Sequence, residues 1–556
     1  MRELIEAILP TVLRPSRYIG NEINAVHKEW QDQLKVAIAY PDLYEIGMSN
    51  LAVQILYHIL NARADVIAER VFAPWGDMEA ALSANRLPLF SLESWKPLSG
   101  FNLIGFSLGY ELNYTNVVNM LKLGRVPLHR TERGETDPLV FAGGPSLFNP
   151  EPVIDIFDFI VIGEAEEAIV EIIEKVKGTK GQGPVRNEIL KALSTIEGVY
   201  VPGISRSVKK RHVNDLDAVP YPLSPIIPFT EPVHDRAVIE IMRGCKWGCK
   251  FCQAGWTTRP VREKKLETLI QQAEELVKNT GYEELSLISL SSSDHSQIEA
   301  LAKELANRNE KRRVNIALPS MRTNSFSVKL AHQVARVRSS SITIAPEAGS
   351  QRLRDYIGKK MTEENIMESV QAVFASGIEA VKLYFMIGLP TETEEDLLGI
   401  GQLARKIFEV GRCHTRRVRV TVNLSTFIPK PHTPFQWERQ ITINETLQKQ
   451  RLIKESIRQK FIDVRWHQAE ASFLEGVFSR GDARLLPVIE KAWELGARLD
   501  AWSENFDFDR WLKAFADCGI DPAAYLRERN KDEDLPWDYI ETGISKEMLA
   551  NAANPN

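Results

Sequence analysis

Cysteine is scarce in this chain: there are five among 556 residues, and none before position 245. So few thiols exclude a disulfide framework and point to a reducing compartment. Long apolar runs are missing as well. No stretch reaches the ~20 consecutive apolar residues that a bilayer-crossing helix needs, and the opening Met-Arg-Glu-Leu-Ile-Glu lacks a basic region followed by an apolar one. The expectation is a cytoplasmic protein with no membrane partner. An excess of one charge is also absent: 69 Lys and Arg against 74 Asp and Glu leave a net charge of −5 and a pI near 6.2. That balance supplies no global attraction to nucleic acid, which is not favoured as a partner. At this length the chain accommodates two or three domains, each large enough for its own core.

Three of the five cysteines, Cys245, Cys249 and Cys252, share one short loop, Arg243-Gly-Cys-Lys-Trp-Gly-Cys-Lys-Phe-Cys-Gln-Ala-Gly255. The spacing Cys-x-x-x-Cys-x-x-Cys lets three thiolates hold three corners of an iron–sulfur cube and leaves the fourth iron without a protein ligand, open for chemistry. Structural zinc asks for a fourth ligand and usually two separated pairs, whereas Cys413 and Cys518 lie far along the chain and apart from each other. A chance cluster of buried thiols does not suit a glycine-punctuated loop flanked by Arg243, Lys246 and Lys250. Electron carriers generally close the cluster with four protein ligands, so a non-catalytic cluster scaffold or electron carrier is the weaker reading.

With Phe251 just before the last cysteine, the loop resembles the signature of the radical S-adenosylmethionine enzymes. The resemblance implies a [4Fe-4S] cluster on the three cysteines, with S-adenosylmethionine chelating the free iron through its methionyl amine and carboxylate. One electron from a reductant such as flavodoxin or ferredoxin then cleaves the cofactor to a 5′-deoxyadenosyl radical, which takes a hydrogen atom from a substrate.

Ahead of the loop, residues 34–205 alternate short apolar runs with amphipathic stretches, the pattern of a parallel α/β sheet. The clearest strands, 36–39, 103–107, 139–142 and 157–162, each run into a turn rich in Gly, Pro or Ser. Those turns hold Gly47 and Ser49, then Ser107 and Tyr110, then Gly143 and Gly144, then Gly163. Ligands of open α/β sheets bind at the strands' carboxyl ends, where glycine lets the backbone come close. Ser49 is expected to cap a helix whose face of Leu51, Ile55, Leu56 and Ile59 reads as scaffold. The order of turns, with Asn149-Pro-Glu-Pro152 between the last two, resembles the cobalamin-binding domain that precedes many radical S-adenosylmethionine barrels, and implies cobalamin on those seven turn residues. The Asp-x-His-x-x-Gly sequence that supplies an axial histidine in other cobalamin proteins is missing, so no histidine ligand is expected. The alternative is a Rossmann-like domain that holds a nucleotide or only packs on the barrel.

Six prolines, Pro202 and then Pro220, Pro222, Pro225, Pro228 and Pro232, mark a semi-rigid connector. A βα rhythm follows, with strands expected at 237–242, 285–290, 314–318, 341–344, 380–387 and 418–424. Six repeats fit the superfamily's partial (βα)6 barrel, whose site lies at the strands' carboxyl ends. There Ser291, in Ser291-Ser-Ser-Asp294, stands where relatives carry Gly-Gly-Glu for the cofactor's amine. Ser320 follows the third strand, and Glu347 and Arg352 follow the fourth. Ile387, in a stretch resembling the superfamily's adenine-side motif, is expected to flank the base. Phe251 completes this S-adenosylmethionine set. Glu347 is the preferred ligand of the ribose or the ammonium, its alternative being an acid at a helix N-terminus. His432, in Phe427-Ile-Pro-Lys-Pro-His-Thr-Pro-Phe435, reads as a hydrogen-bonded structural histidine before a catalytic one.

The fold expected is therefore α/β: a Rossmann-like domain of cobalamin-binding type over 1–205, a Pro-rich linker over 206–235, a radical S-adenosylmethionine (βα)6 barrel over 236–436, and a C-terminal helical region over 437–556. In the last, Leu447, Leu452, Ile453 and Ile457 share a helical face, and five of the eleven tryptophans read as core before they read as a binding platform. The leading function is cobalamin-assisted methyl transfer or rearrangement on a substrate that no motif names. A methylthiotransferase acting on RNA or protein would bring a second cluster on N-terminal cysteines, and residues 1–244 have none.

Overall fold

The computed structural model describes residues 1–178, 186–319 and 341–554. Its N-terminal part is built on six strands: β1 (Leu34–Tyr40), β2 (Val66–Phe72), β3 (Leu103–Ser107), β4 (Leu139–Gly143), β5 (Phe159–Val161) and β6 (Val199–Tyr200). They lie in the order β2-β1-β3-β4-β5-β6, and only β6 is antiparallel to its neighbour. Four coincide with the apolar runs. β2 is hidden in the sequence because Glu69 and Arg70 interrupt its apolar residues, yet the whole strand is buried. Its charges are satisfied internally: Arg70 reaches Glu22 at 2.8 Å and Glu93 at 2.7 Å, and Glu69 accepts from Trp30 and Ser94. Buried ions persist only with such partners.

The order in which strands are added to the sheet reverses at β1, with β2 on one side and β3 on the other, so the carboxyl ends of β1 and β3 open the crevice where such sheets take ligands. The helix Leu51–Asn61 covers one face. Asn50, not Ser49, caps it, accepting from the Val53 N–H at 3.3 Å. Ser49 ends the preceding turn by donating to the Glu45 carbonyl at 2.8 Å.

The proline-rich connector is docked and spaces nothing apart. β7 (Val208–Lys209) lies in it, Tyr221 and Ile226 are buried, and the Tyr221 hydroxyl donates to the Val238 carbonyl at 2.8 Å. Then follow β8 (Ala237–Glu240), β9 (Met242–Arg243), β10 (Arg262–Glu263), β11 (Glu284–Ile288), β12 (Asn315–Ala317), β13 (Ile342–Glu347), β14 (Ala380–Ile387), β15 (Arg419–Thr426) and β16 (Ile462–Trp466). Among the described residues they form parallel sheets β12-β11-β8 and β13-β14-β15-β16, and β9 pairs antiparallel with β10. All six expected strands are present, but among the described residues they lie in two separate parallel sheets and not in one closed barrel. β16 is a seventh, parallel to β15 from Val420↔Ile462 to Leu424↔Trp466, in a region read as helical throughout. Of the expected apolar face on helix Ile443–Ser456 and its C-cap Ile457, Ile453 and Ile457 are buried, whereas Leu447 is exposed.

The C-terminal region packs directly onto the first sheet. Phe106, Tyr114 and Val117 share one continuous core with Val477, Phe478, Val488, Trp511 and Trp537. The tryptophans are stitches: Trp493 donates to Asn119 at 3.0 Å and Trp502 to Asp42 at 2.8 Å, while Trp511 and Trp537 are fully buried. β17 (Ile540–Glu541) completes the tie by pairing with β7. Among the described residues no helix is long and apolar enough to cross a membrane.

Asp500 sits inside this seam, accepting from Thr115 at 2.8 Å and Trp511 at 3.3 Å. Burial pushes its carboxyl up to about 6 against those bonds. Because the folded-state value is raised, the folded protein binds more protons than the unfolded chain between about pH 4 and pH 6, and stability falls as pH rises through that window. Asp500→Asn is expected to be more stable than the parent by roughly 2–3 kcal/mol at neutral pH and to lose that advantage below about pH 4. Thermal unfolding of both proteins across that range measures it.

Candidate functional site

The cysteine loop leaves its sheet at Arg243 and returns at Arg262, residues paired across the β9–β10 ladder, so a two-rung stem holds its base closed. Gly244 turns the chain with φ +91°, its α-carbon against the Pro260 and Thr258 carbonyls, where a side chain has no room. Cys249 is buried, and Cys245 and Cys252 are half-buried. Cys252 Sγ caps the helix Gln253–Thr257, accepting from the Gly255 N–H at 3.3 Å. Burial raises its thiol to about 11; the Gly255 bond opposes this, Cys249 and Cys245 add to it, and Lys359 opposes it. Among the described residues no group of three or more His, Cys, Asp or Glu closes around a single metal ion. A cubane spans more space than a single ion and asks only that three sulfurs face one volume.

The loop is fixed from three sides. Trp256 donates to the Cys249 carbonyl at 2.9 Å, Lys250 exchanges backbone bonds with Ile357 and Phe435, and Asp294 accepts from Trp247 at 2.5 Å and lies 3.2 Å from Lys246. Phe251 packs against Ala348, Leu353, Ile357, Leu389, Phe427 and Phe435, a small apolar cluster at the carboxyl ends of β13–β15. Ser291 follows β11 and is buried with its hydroxyl unpartnered, an orphaned group of the kind a ligand satisfies.

Glu347 ends β13 at a register shift, with φ +68°, a left-handed backbone uncommon outside glycine. Its carboxylate meets Lys359 at 3.0 Å, the lysine whose charge is felt at Cys252. It is not the acid of a helix N-terminus, because Ser350 caps the helix Gln351–Tyr356. Two expected members stand elsewhere. Arg352 turns outward to Asp396 and to the Thr391 carbonyl at 2.9 Å. Ile387 is fully buried in the core between β14 and its helices, because strand alternation sends Tyr384 and Met386, not Ile387, to the open face. Ser320 lies outside the described residues. His432 is buried with Nε2 3.0 Å from the Phe148 carbonyl, and burial lowers its pKa to about 4, so it is a neutral structural group.

A cavity of about 580 Å³ lies between the first sheet, the helices Leu51–Asn61 and Ala168–Gly178, and the helix Gln253–Thr257 behind Cys252. Ser107, Gly143, Gly144 and Gly163 line it, but Gly47, Ser49 and Tyr110 do not. Gly47 lies against the Phe72 ring, Ser49 is bonded to Glu45, and burial raises the Tyr110 hydroxyl beside Glu475 and Glu111. The glycines differ in role. A Cβ on Gly144 (φ +124°) would meet the Leu108 carbonyl oxygen at 2.3 Å, and one on Gly163 (φ +106°) the Arg211 carbonyl oxygen at 2.1 Å, whereas one on Gly143 has the Val161 oxygen at 3.4 Å as its nearest neighbour. The first two shape the backbone; Gly143 leaves space. Sequence reasoning missed Leu51 and Leu56, read as scaffold, and Ala254 and Thr257, which bring the cysteine loop to the cavity wall.

Residues 239–404 match the model of the radical SAM superfamily, and residues 52–202 match the model of radical SAM proteins, N-terminal. The chain is a radical S-adenosylmethionine enzyme, of a class that works with a [4Fe-4S] cluster and S-adenosylmethionine. Within that class it is 28% identical to an uncharacterised protein of Methanocaldococcus jannaschii over 87% of this chain and 97% of that one. A tRNA-2-methylthio-N(6)-dimethylallyladenosine synthase of Staphylococcus epidermidis is 27% identical over 30% of this chain and 34% of its own. In fold, the chain is similar to the cobalamin-dependent S-adenosylmethionine radical enzyme OxsB, solved with aqua-cobalamin and S-adenosylmethionine bound: TM-score 0.52, 15% identity, 99% of this chain and 83% of that one.

Proposed function

We propose that this enzyme is cobalamin-dependent and transfers a methyl group to, or rearranges, an unactivated carbon of its substrate. The observation that carries the reading is the cavity of about 580 Å³, floored at the strands' carboxyl ends by Ser107, Gly143, Gly144 and Gly163 and walled by the helix that Cys252 caps. Its walls are mainly apolar, as suits a large organic cofactor, and no histidine is among its lining residues, which favours a corrinoid without a protein nitrogen on cobalt. Bound there, the corrinoid would supply a methyl carrier or an electron partner. Anaerobic reconstitution followed by mass spectrometry for bound corrinoid tests the reading; protein that takes up none rejects it.

Cys245, Cys249 and Cys252 are the proposed ligands of the [4Fe-4S] cluster. Ser291, with its unpartnered hydroxyl, and Glu347 are the proposed polar contacts of S-adenosylmethionine, and Phe251 is its apolar neighbour. Arg352 and Ile387 drop from that role because their side chains are engaged elsewhere. Glu347 would meet the ammonium or the ribose hydroxyls while Lys359 holds it in place. Glu347→Gln keeps the shape and removes the charge. It is expected to weaken S-adenosylmethionine binding by roughly 10- to 100-fold with iron content unchanged, as measured by equilibrium binding to the reconstituted protein and by chemical iron assay. A one-electron reductant of flavodoxin or ferredoxin type completes the proposed system. The methylthiotransferase reading draws on a relative matched over 30% of this chain and lacks its second set of cysteines in residues 1–244.

A further inference from the structure

The two arginines at the base of the cysteine loop share one carboxylate, and it comes from the other sheet. Glu164 lies in the turn after β5, where Gly163 and Arg211 form a bridge and the Glu164 N–H donates to the Arg211 carbonyl at 3.1 Å. Its Oε2 accepts from the Val213 N–H at 2.7 Å. Arg262 donates to both carboxylate oxygens, at 2.7 and 2.8 Å, and Arg243 lies 3.0 Å away. Arg243 is held further by Glu166 at 2.8 Å and Glu240 at 2.6 Å. These are short, charge-assisted contacts in which one arginine is bidentate, so the partners move together. The same turn, Gly163 to Glu166, is wall of the cavity, as are Arg243 and the helix whose cap is Cys252.

We infer that Glu164 is a positioning residue that couples occupancy of the cavity to the geometry of the cysteine loop. The inference rests on the reading of the cavity as a corrinoid site. A ligand pressed against the Gly163–Glu166 turn fixes the carboxylate, the carboxylate fixes Arg243 and Arg262, and these fix both ends of the segment that carries the three thiols. Coupling between two sites is reciprocal, so an assembled cluster must favour the ligand by the same factor by which the ligand favours the loop's cluster-holding form.

The test is a binding cycle with hydroxocobalamin as the probe, read by absorbance under anaerobic conditions, on cluster-loaded and cluster-free full-length protein. In the parent the two dissociation constants are expected to differ by at least about five-fold, the low end of common allosteric coupling. In Glu164→Gln, which keeps the side chain's size, they are expected to agree within about two-fold. Glu167→Gln removes the adjacent carboxylate, which pairs with Arg211 and is half exposed; it should retain the parent's difference. If Glu164→Gln does not assemble a cluster, Arg262→Gln, which leaves Arg243 on Glu164, Glu166 and Glu240 and so removes one of the two links, replaces it and should narrow the difference. Equal constants in the parent, or a difference that survives undiminished in the Glu164 or Arg262 variant, overturn the coupling and leave the corrinoid site standing. No binding by the parent in either state overturns the cavity reading and the coupling together.

Discussion

Replacing Cys245, Cys249 and Cys252 with alanine is expected to abolish iron–sulfur absorbance and reductive cleavage of S-adenosylmethionine altogether, and each single replacement should do nearly the same. With three protein ligands a cubane has no spare corner, so losing one thiolate leaves two irons open and the cluster labile. Cys413 supplies the control. It is exposed in the last turn of helix Glu394–His414, ahead of β15 and so at the amino end of the strands, away from the site. Cys413→Ser should leave iron content and cofactor cleavage as in the parent. Cluster absorbance that persists in the triple variant would refute the ligand assignment.

How far the sequence carried depends on whether an element announces itself locally. The cysteine loop does, because its three cysteines fall within eight residues and the chemistry proposed for it follows from that spacing. The barrel strands do as well, since Val, Ile and Leu alternate toward the covering helices. β2 does not: its charges are paired only by the distant Glu22, Glu93 and Trp30. β16 is short and carries Asp463 and Arg465, so only its pairing with β15 defines it. The positions of Phe251 beside the last cysteine and of Glu347 at a strand end were legible because motif and strand end coincide. Arg352 was misread because a charged residue beside a glycine turn does not reveal that Asp396, forty-odd residues on, claims it. Ile387 was misread because strand parity at a strand's end decides covered face against open face, and one residue's shift inverts it. The role of Glu164 had no local signal: its partners Arg243 and Arg262 are far along the chain and meet it only through the packing of the first sheet on the loop.

Gly143→Leu is expected to prevent corrinoid uptake while leaving the cluster intact. The cavity tolerates the change at the backbone, because a Cβ at Gly143 meets nothing closer than the Val161 oxygen at 3.4 Å, and the residue does not adopt a left-handed conformation. What the side chain fills is the space beyond, between the carboxyl end of β4 and the helices across the cavity. Gly144 and Gly163 do not serve this purpose. A side chain at either would collide with backbone oxygen at a positive φ, so their loss would combine exclusion of a ligand with damage to the turn. Gly143→Ala separates the effects of bulk: one methyl group makes ordinary contact and should leave uptake within a few-fold of the parent, whereas leucine should lower it by at least about 100-fold, the loss expected when an overfilled site must displace packed neighbours. Corrinoid content by mass spectrometry and iron content by chemical assay, on parent and both variants reconstituted side by side, give the readout. Uptake by Gly143→Leu equal to that of the parent would mean that the ligand lies elsewhere than on the floor formed by β3, β4 and β5, and the cobalamin reading of this cavity would fall with it.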